Sequence, residues 1–139
     1  MIACGGDALI DFVPEKTANG EEAFVPRVGG SCLNVAVAMG RLGADVTFVG
    51  GISTDMFGDM IAERLETSGV KTDLTTRTDN DSTLAFVRMV GSDAHYAFYD
   101  EVSAARLWEY DASKYPPLEL FHAGSTTCLL YTSPSPRDS

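Results

Sequence analysis

The chain has 139 residues, 45% of them apolar and 22% charged, with a formal net charge of -10 and a pI near 4.4. This is ordinary globular composition at a length that buries one modest core. The acidity, without any cluster of Lys or Arg, excludes a basic nucleic-acid-binding face, and no apolar run is long enough to span a membrane.

The first predicted element is one buried strand. It takes in Ile2 to Cys4 and Ala8 to Val13, carries a glycine-marked irregularity at Gly5-Gly6-Asp7 and ends near Asp11. The N-terminus enters this strand without a charged n-region and signal core, which predicts a cytoplasmic protein. Pro14 to Glu22 reads as a polar loop and Ala23 to Val28 as a short strand. The pair Gly29-Gly30 then opens a helix predicted over Asn34 to Leu42. Apolar residues surround that helix almost completely, so it is expected to pack on more than one side. Gly43 is its predicted C-terminal cap.

Asp45 to Gly50 follows as a β-branched and aromatic strand. Strand, helix and strand in this order predict a parallel crossover. Ser53-Thr54-Asp55 offers N-capping groups to a helix over Met56 to Ser68, with Met60, Ile61 and Leu65 facing inward and Gly69 ending it. The pattern then changes. Thr72 to Thr78, Ser82 to Val90 and His95 to Tyr99 read as antiparallel strands of a small flap, separated by turns at Asn80-Asp81 and Gly91-Ser92-Asp93. Val102 to Glu109 reads as helix, Tyr110 to Pro117 as loop and Leu118 to Ala123 as the next core strand.

The last segment differs in kind. Pro134 and Pro136 forbid a regular helix or central strand, and Cys128 to Asp138 reads as the translation of a transposase-type sequencing adaptor. The expected division is therefore a domain portion over residues 1–127 and a non-native tail over residues 128–139. Cys4, Cys32 and Cys128 are three cysteines without metal-like spacing. Cys4 and Cys32 read as small buried hydrophobes. Neither His95 nor His122 has a second ligand at metal spacing, so no metal site is assigned.

Several motifs in fixed order carry a family resemblance: Gly29-Gly30, then Asn34, then Arg41-Leu42-Gly43, then Asp55-x-Phe57-Gly58. Gly6 to Pro14 is similar to the first strand of fructokinase-type members, and Leu84 to Val87 and Ala97 to Glu101 to the lid segments. The chain resembles the PfkB carbohydrate kinase family over residues 2–127. The resemblance implies a ribokinase-like α/β fold: a three-layer parallel-sheet core with a small antiparallel lid, whose strands lie near residues 23–28 and 72–99. It also implies an ATP- and magnesium-dependent transfer of phosphoryl to a sugar hydroxymethyl group, with fructose or a related ketose as substrate. A homodimer through the lid is a further implication.

Position by position, Asp11 matches the family's aspartate that hydrogen-bonds sugar hydroxyls. Gly30 and Asn34 match the glycine and asparagine that contact the sugar at the helix start, and Ser31 occupies a neighbouring sugar-side position. Cys32 and Ser53 depart from the family pattern, where small residues such as glycine are usual. The family's Gly-Ala-Gly-Asp turn, with its general-base aspartate and anion hole, is absent from the sequence, so no catalytic residue and no ATP-binding residue is assigned here. The fragment alone is expected to be inactive.

The residues themselves support these roles and leave others open. An ionised Asp, with an ordinary pKa near ~3.9, accepts two sugar O–H bonds; it also suits a strand-end turn. Asn is both donor and acceptor, like a hydroxyl; it also suits a helix N-cap. Gly30 suits close approach of a ligand and equally a turn that needs glycine. Asp100 and Glu101 read as solvated, Arg88 as an exposed lid residue, and Phe86, Tyr96 and Phe98 as flap packing. Two rival functions remain: a nucleoside or sugar-acid kinase of the same fold, and a non-catalytic sugar-binding module that folds cooperatively by itself.

Overall fold

The structure is a computed structural model and describes residues 1–124. The predicted tail, 128–139, with Cys128 in it, lies outside the described residues. The chain begins with β1 (Ile2–Gly6), which is the centre of a parallel sheet of order β4-β1-β9, where β4 is Val46–Val49 and β9 is Leu120–Gly124. Helix α1 (Ser31–Arg41) packs against all three strands. The predicted parallel crossover and the last core strand are thus present.

The sequence reading of one strand from Ile2 to Val13 is corrected. After Gly6 the chain leaves the core sheet, and β2 (Leu9–Lys16) joins a second sheet of order β3-β2-β7-β8. Here β3 is Glu22–Gly29, β7 is Thr83–Val90 and β8 is Asp93–Tyr99. Gly6, at φ 144°, makes the break in a backbone conformation that side chains disfavour. This second sheet is the lid. It contains β2, which the sequence reading put in the core, and β2 pairs parallel with β7 but antiparallel with β3. It does not contain residues 72–78. The strand found there, β6 (Thr76–Thr78), pairs parallel with β5 (Gly51–Ser53) in a separate two-stranded ladder.

Helix α2 (Met56–Thr67) starts where the capping signal put it. The Gly58 N–H donates to Asp55 Oδ1 at 2.8 Å, and Gly69 follows the helix at φ 82°. Helix α1 ends as read, with Gly43 at φ 87°, but Leu42 is 87% exposed and does not belong to the core. The predicted helix over Val102 to Glu109 shortens to α3 (Ala104–Leu107), capped by Ser103. The core gathers Phe48 and Val46 of β4, Ile10 of β2, Leu33 of α1, and Ile61 and Leu65 of α2, all at most 1% exposed. Each such side chain contributes roughly 1.5–3 kcal/mol of burial free energy. Ile10 belongs to this core although its strand belongs to the lid, and Phe12, Val28 and Leu84 of the same sheet pack against it, so these residues anchor the lid to the body.

Candidate functional site

Position along β2 decides which way Asp11 points. Ile10 is buried in the core and Phe12 stacks on Phe86 with ring centroids 4.6 Å apart, so Asp11 projects to the opposite face of the lid. Arg27 of β3 and Ala85 of β7 flank it in register, and Phe98 of β8 lies on the same face beyond Ala85. The Asp11 carboxylate lies over the backbone of Gly29: a Cβ built there would sit 2.5 Å from Oδ2. Asp11 is half-buried, and desolvation pushes its carboxyl above the ordinary value.

Gly30 is fixed by the fold. Its φ is 119°, and a Cβ would run into the carbonyl oxygen of Asp7. It is also the N-cap of α1 and offers no side chain to the first-turn amides. The helix therefore starts at Ser31, one turn earlier than read, and the N-cap alternative for Asn34 is corrected. Asn34 is inside α1, its N–H donating to Gly30 O at 2.9 Å, and its side chain is exposed. Ser31 is exposed at the first helical position. Asp11 and the Gly29–Gly30 turn thus meet directly, and Ser31 and Asn34 follow on the first two turns of the helix that leaves it. A carboxylate acceptor beside a helix start is chemically suited to a polyol, whose hydroxyls both donate and accept.

A separate cavity of about 690 Å³ lies between the start of α2, the start of β7 and the segment after β8. None of the four predicted site residues lines it. Asp55, Ser82, Phe98 and Asp100 do. Asp55 accepts from Ser82 Oγ at 2.6 Å and from Ser82 N at 3.0 Å, besides capping α2. Burial alone would raise its carboxyl; the hydrogen bonds from Ser82, Gly58 and Ser53 outweigh burial and hold it below the ordinary range. Asp100 is half-buried and paired with Arg106 at 3.4 Å, which corrects its reading as solvated, whereas Glu101 is exposed as read. Among the described residues no group of three or more His, Cys, Asp or Glu could hold a metal ion, so none is assigned to this cavity.

Cys4, Cys32, Phe86 and Arg88 stand as read. Cys4 and Cys32 are both buried. Phe86 is flap packing, edge-on to Phe24 and Tyr99, and Arg88 is exposed. Tyr96 and Phe98 stack on each other at 5.8 Å on the exposed strand β8. The sequence reading missed the contact between Asp55 and Ser82. The capping signal at Asp55 was legible, but the second partner, 27 residues away, was not.

The family model described as pfkB family carbohydrate kinase matches residues 1–136. The chain belongs to this family. It is 46% identical over 107 residues to a fructokinase of Rhizobium leguminosarum bv. trifolii, a match covering 77% of the chain and 33% of that protein. It is 34% identical over 143 residues to a probable fructokinase-7 of Arabidopsis thaliana, covering 93% of the chain and 40% of the relative. In structure it is similar to a fructokinase of Xylella fastidiosa with bound ATP, at 35% identity and a TM-score of 0.78, covering 88% of this chain and 41% of that one. The chain thus spans a third to two-fifths of the length of these pfkB relatives. The fold is ribokinase-like: a parallel α/β core with a β lid. Among the described residues no helix is long and apolar enough to cross a membrane.

Proposed function

We propose that this chain is the substrate-side part of an ATP-dependent sugar kinase, in which Asp11, Gly30, Ser31 and Asn34 hold fructose or a related ketose. The observation that carries the reading is the Asp11 carboxylate lying over the Gly29–Gly30 turn at the start of α1. The similarity to fructokinases supports a ketose over the nucleoside or sugar-acid alternative.

In this reading Asp11 accepts hydrogen bonds from two adjacent hydroxyls, and Asn34 both donates to and accepts from a third. Ser31 and the amides of the first turn complete the orientation. The lid face bearing Ala85 and Phe98 excludes water above the sugar. ATP supplies the phosphoryl group when bound. The general base, the ATP site and the magnesium site are assigned to the part of the family's domain that this chain does not span, so the chain alone does not turn over. Two buried cysteines, Cys4 and Cys32, that form no disulfide among the described residues suit a cytoplasmic setting. The exposed strand β8 at the edge of the lid sheet is read as the lid surface that pairs in a homodimer. The boundary between the kinase portion and the adaptor-derived tail stays at residue 127, and reading the genomic locus past that codon tests it.

The test of the function is paired. The purified chain with fructose, ATP and magnesium is expected to form no fructose phosphate, while fructose alone is expected to bind saturably. Turnover by the chain would overturn the assignment of the chemistry elsewhere. Absence of binding would overturn the substrate.

A further inference from the structure

The strongest arrangement outside the sugar residues is a clasp at the root of the lid. The segment that enters β7 and the one that leaves β8 are tied together: Thr83 Oγ1 and Ser103 Oγ lie 2.6 Å apart, both buried, and the Ala104 N–H donates to Asp81 O at 2.8 Å. This joined root is tied in turn to the body through Asp55, whose carboxylate reaches both Gly58 of α2 and Ser82. From Ser82 the chain passes straight into β7, and β7 pairs with β2 from Leu9↔Thr83 to Phe12↔Phe86, a register that includes Asp11↔Ala85.

We infer that Asp55 is a positioning residue: by holding Ser82 it sets where β7 stands and, through β7, where the Asp11 carboxylate lies relative to the Gly29–Gly30 turn. The part of this inference that concerns the sugar rests on the proposed substrate; the part that concerns the lid does not.

Both oxygens of Asp55 hold Ser82, and one of them also caps α2. Oδ1 takes the Gly58 amide and the Ser82 hydroxyl, and Oδ2 takes the Ser82 amide. Asp55→Asn keeps Oδ1 for the helix cap and the Ser82 hydroxyl but turns an NH2 donor toward the Ser82 N–H, so the cap survives while the clasp loses its backbone bond and sets donor against donor. Ser82→Ala removes one clasp bond and leaves the cap untouched.

Amide hydrogen exchange in the 139-residue chain reads the result. In Asp55→Asn the amides of β7 and β8 are expected to exchange about tenfold faster or more, with those of α2 and β1 unchanged. Faster exchange in α2 with an unchanged lid would reduce Asp55 to a cap and overturn the inference, as would no change anywhere. Should Asp55→Asn unfold the whole chain, Ser82→Ala decides: loss of protection confined to the lid supports the clasp, and its absence overturns it. Fructose is the second probe. If it fails to protect residues near Asp11 in the unaltered chain, the substrate is wrong while the lid result stands. If it protects the unaltered chain and equally Asp55→Asn, the positioning role is wrong while the substrate stands.

Discussion

Asp11 and Gly29 are diagonal neighbours across the β2–β3 ladder, and the carboxylate of one occupies the space that a side chain on the other would need. The absence of a Cβ at residue 29 is what lets the acid lie flat against the turn that opens α1.

Gly29→Ala follows directly. The new methyl meets Asp11 Oδ2, the far end of a side chain that can rotate away. The cost in stability is expected to stay within about 1 kcal/mol, while fructose affinity falls about tenfold because the acceptor has moved. Gly30→Ala is expected to behave differently. Its φ of 119° and its contact with the Asp7 carbonyl leave no room for a side chain, so about 2 kcal/mol or more of stability is lost. Thermal melts set beside fructose titrations separate the two variants.

Asp11→Asn is expected to lose fructose affinity by about ten- to a hundredfold without loss of stability. The sign comes from burial, which raises the carboxyl in the folded state. A group raised on folding stabilises below its unfolded pKa, and that contribution is lost as pH rises through the folded value. At neutral pH the charge is therefore a burden to the fold, and the Asn variant is expected to melt at or above the temperature of the unaltered chain. The measurement is Tm at neutral pH.

Asp55 has the opposite sign. Its carboxyl is held below the ordinary value in the folded state, hydrogen bonds outweighing burial. Its contribution is present above its unfolded pKa and lost as pH falls through the folded one. The unaltered chain is expected to lose stability below about pH 4, and Asp55→Ala to be less stable at neutral pH and flatter across that acid range. Urea unfolding at several acid pH values checks both.

Leu65→Ala is the control on the core. Leu65 is fully buried on α2 among Ile61, Leu33 and Val70, and its truncation is expected to cost about 2–5 kcal/mol. That loss should leave the ratio of fructose affinities between the unaltered and Asp11→Asn backgrounds unchanged.

Local signals in the sequence were read correctly where the cause of the structure is local. Asp55 caps α2 because a carboxylate three residues ahead of an amide reaches it. Gly43 and Gly69 end helices because they accept positive φ. Cause at a distance was not legible. The apolar run through Ile10 looks like one strand, because Ile10 is a core residue; only the backbone turn at Gly6 moves it to another sheet. Asn34 looks like a helix cap because Asn caps well. The close approach of the Asp7 carbonyl instead places Gly30 at that position and starts the helix earlier. Thr76 to Thr78 has the composition of a flap strand, yet its partner is β5, and no feature of three residues names a partner. Asp11, Gly30, Ser31 and Asn34 are candidates picked out by motif order, and the tie between Asp55 and Ser82 was missed because it joins residues with no common motif.

The most direct measurement is a fructose titration of the isotopically labelled 139-residue chain followed residue by residue by NMR. Saturable shifts centred on Asp11 and on Gly29 to Asn34, abolished in Asp11→Asn, are the expected result. Shifts centred on the cavity at Asp55 and Ser82, or a titration that Asp11→Asn leaves unchanged, would contradict the assignment of the sugar to the Asp11–Gly30 cradle.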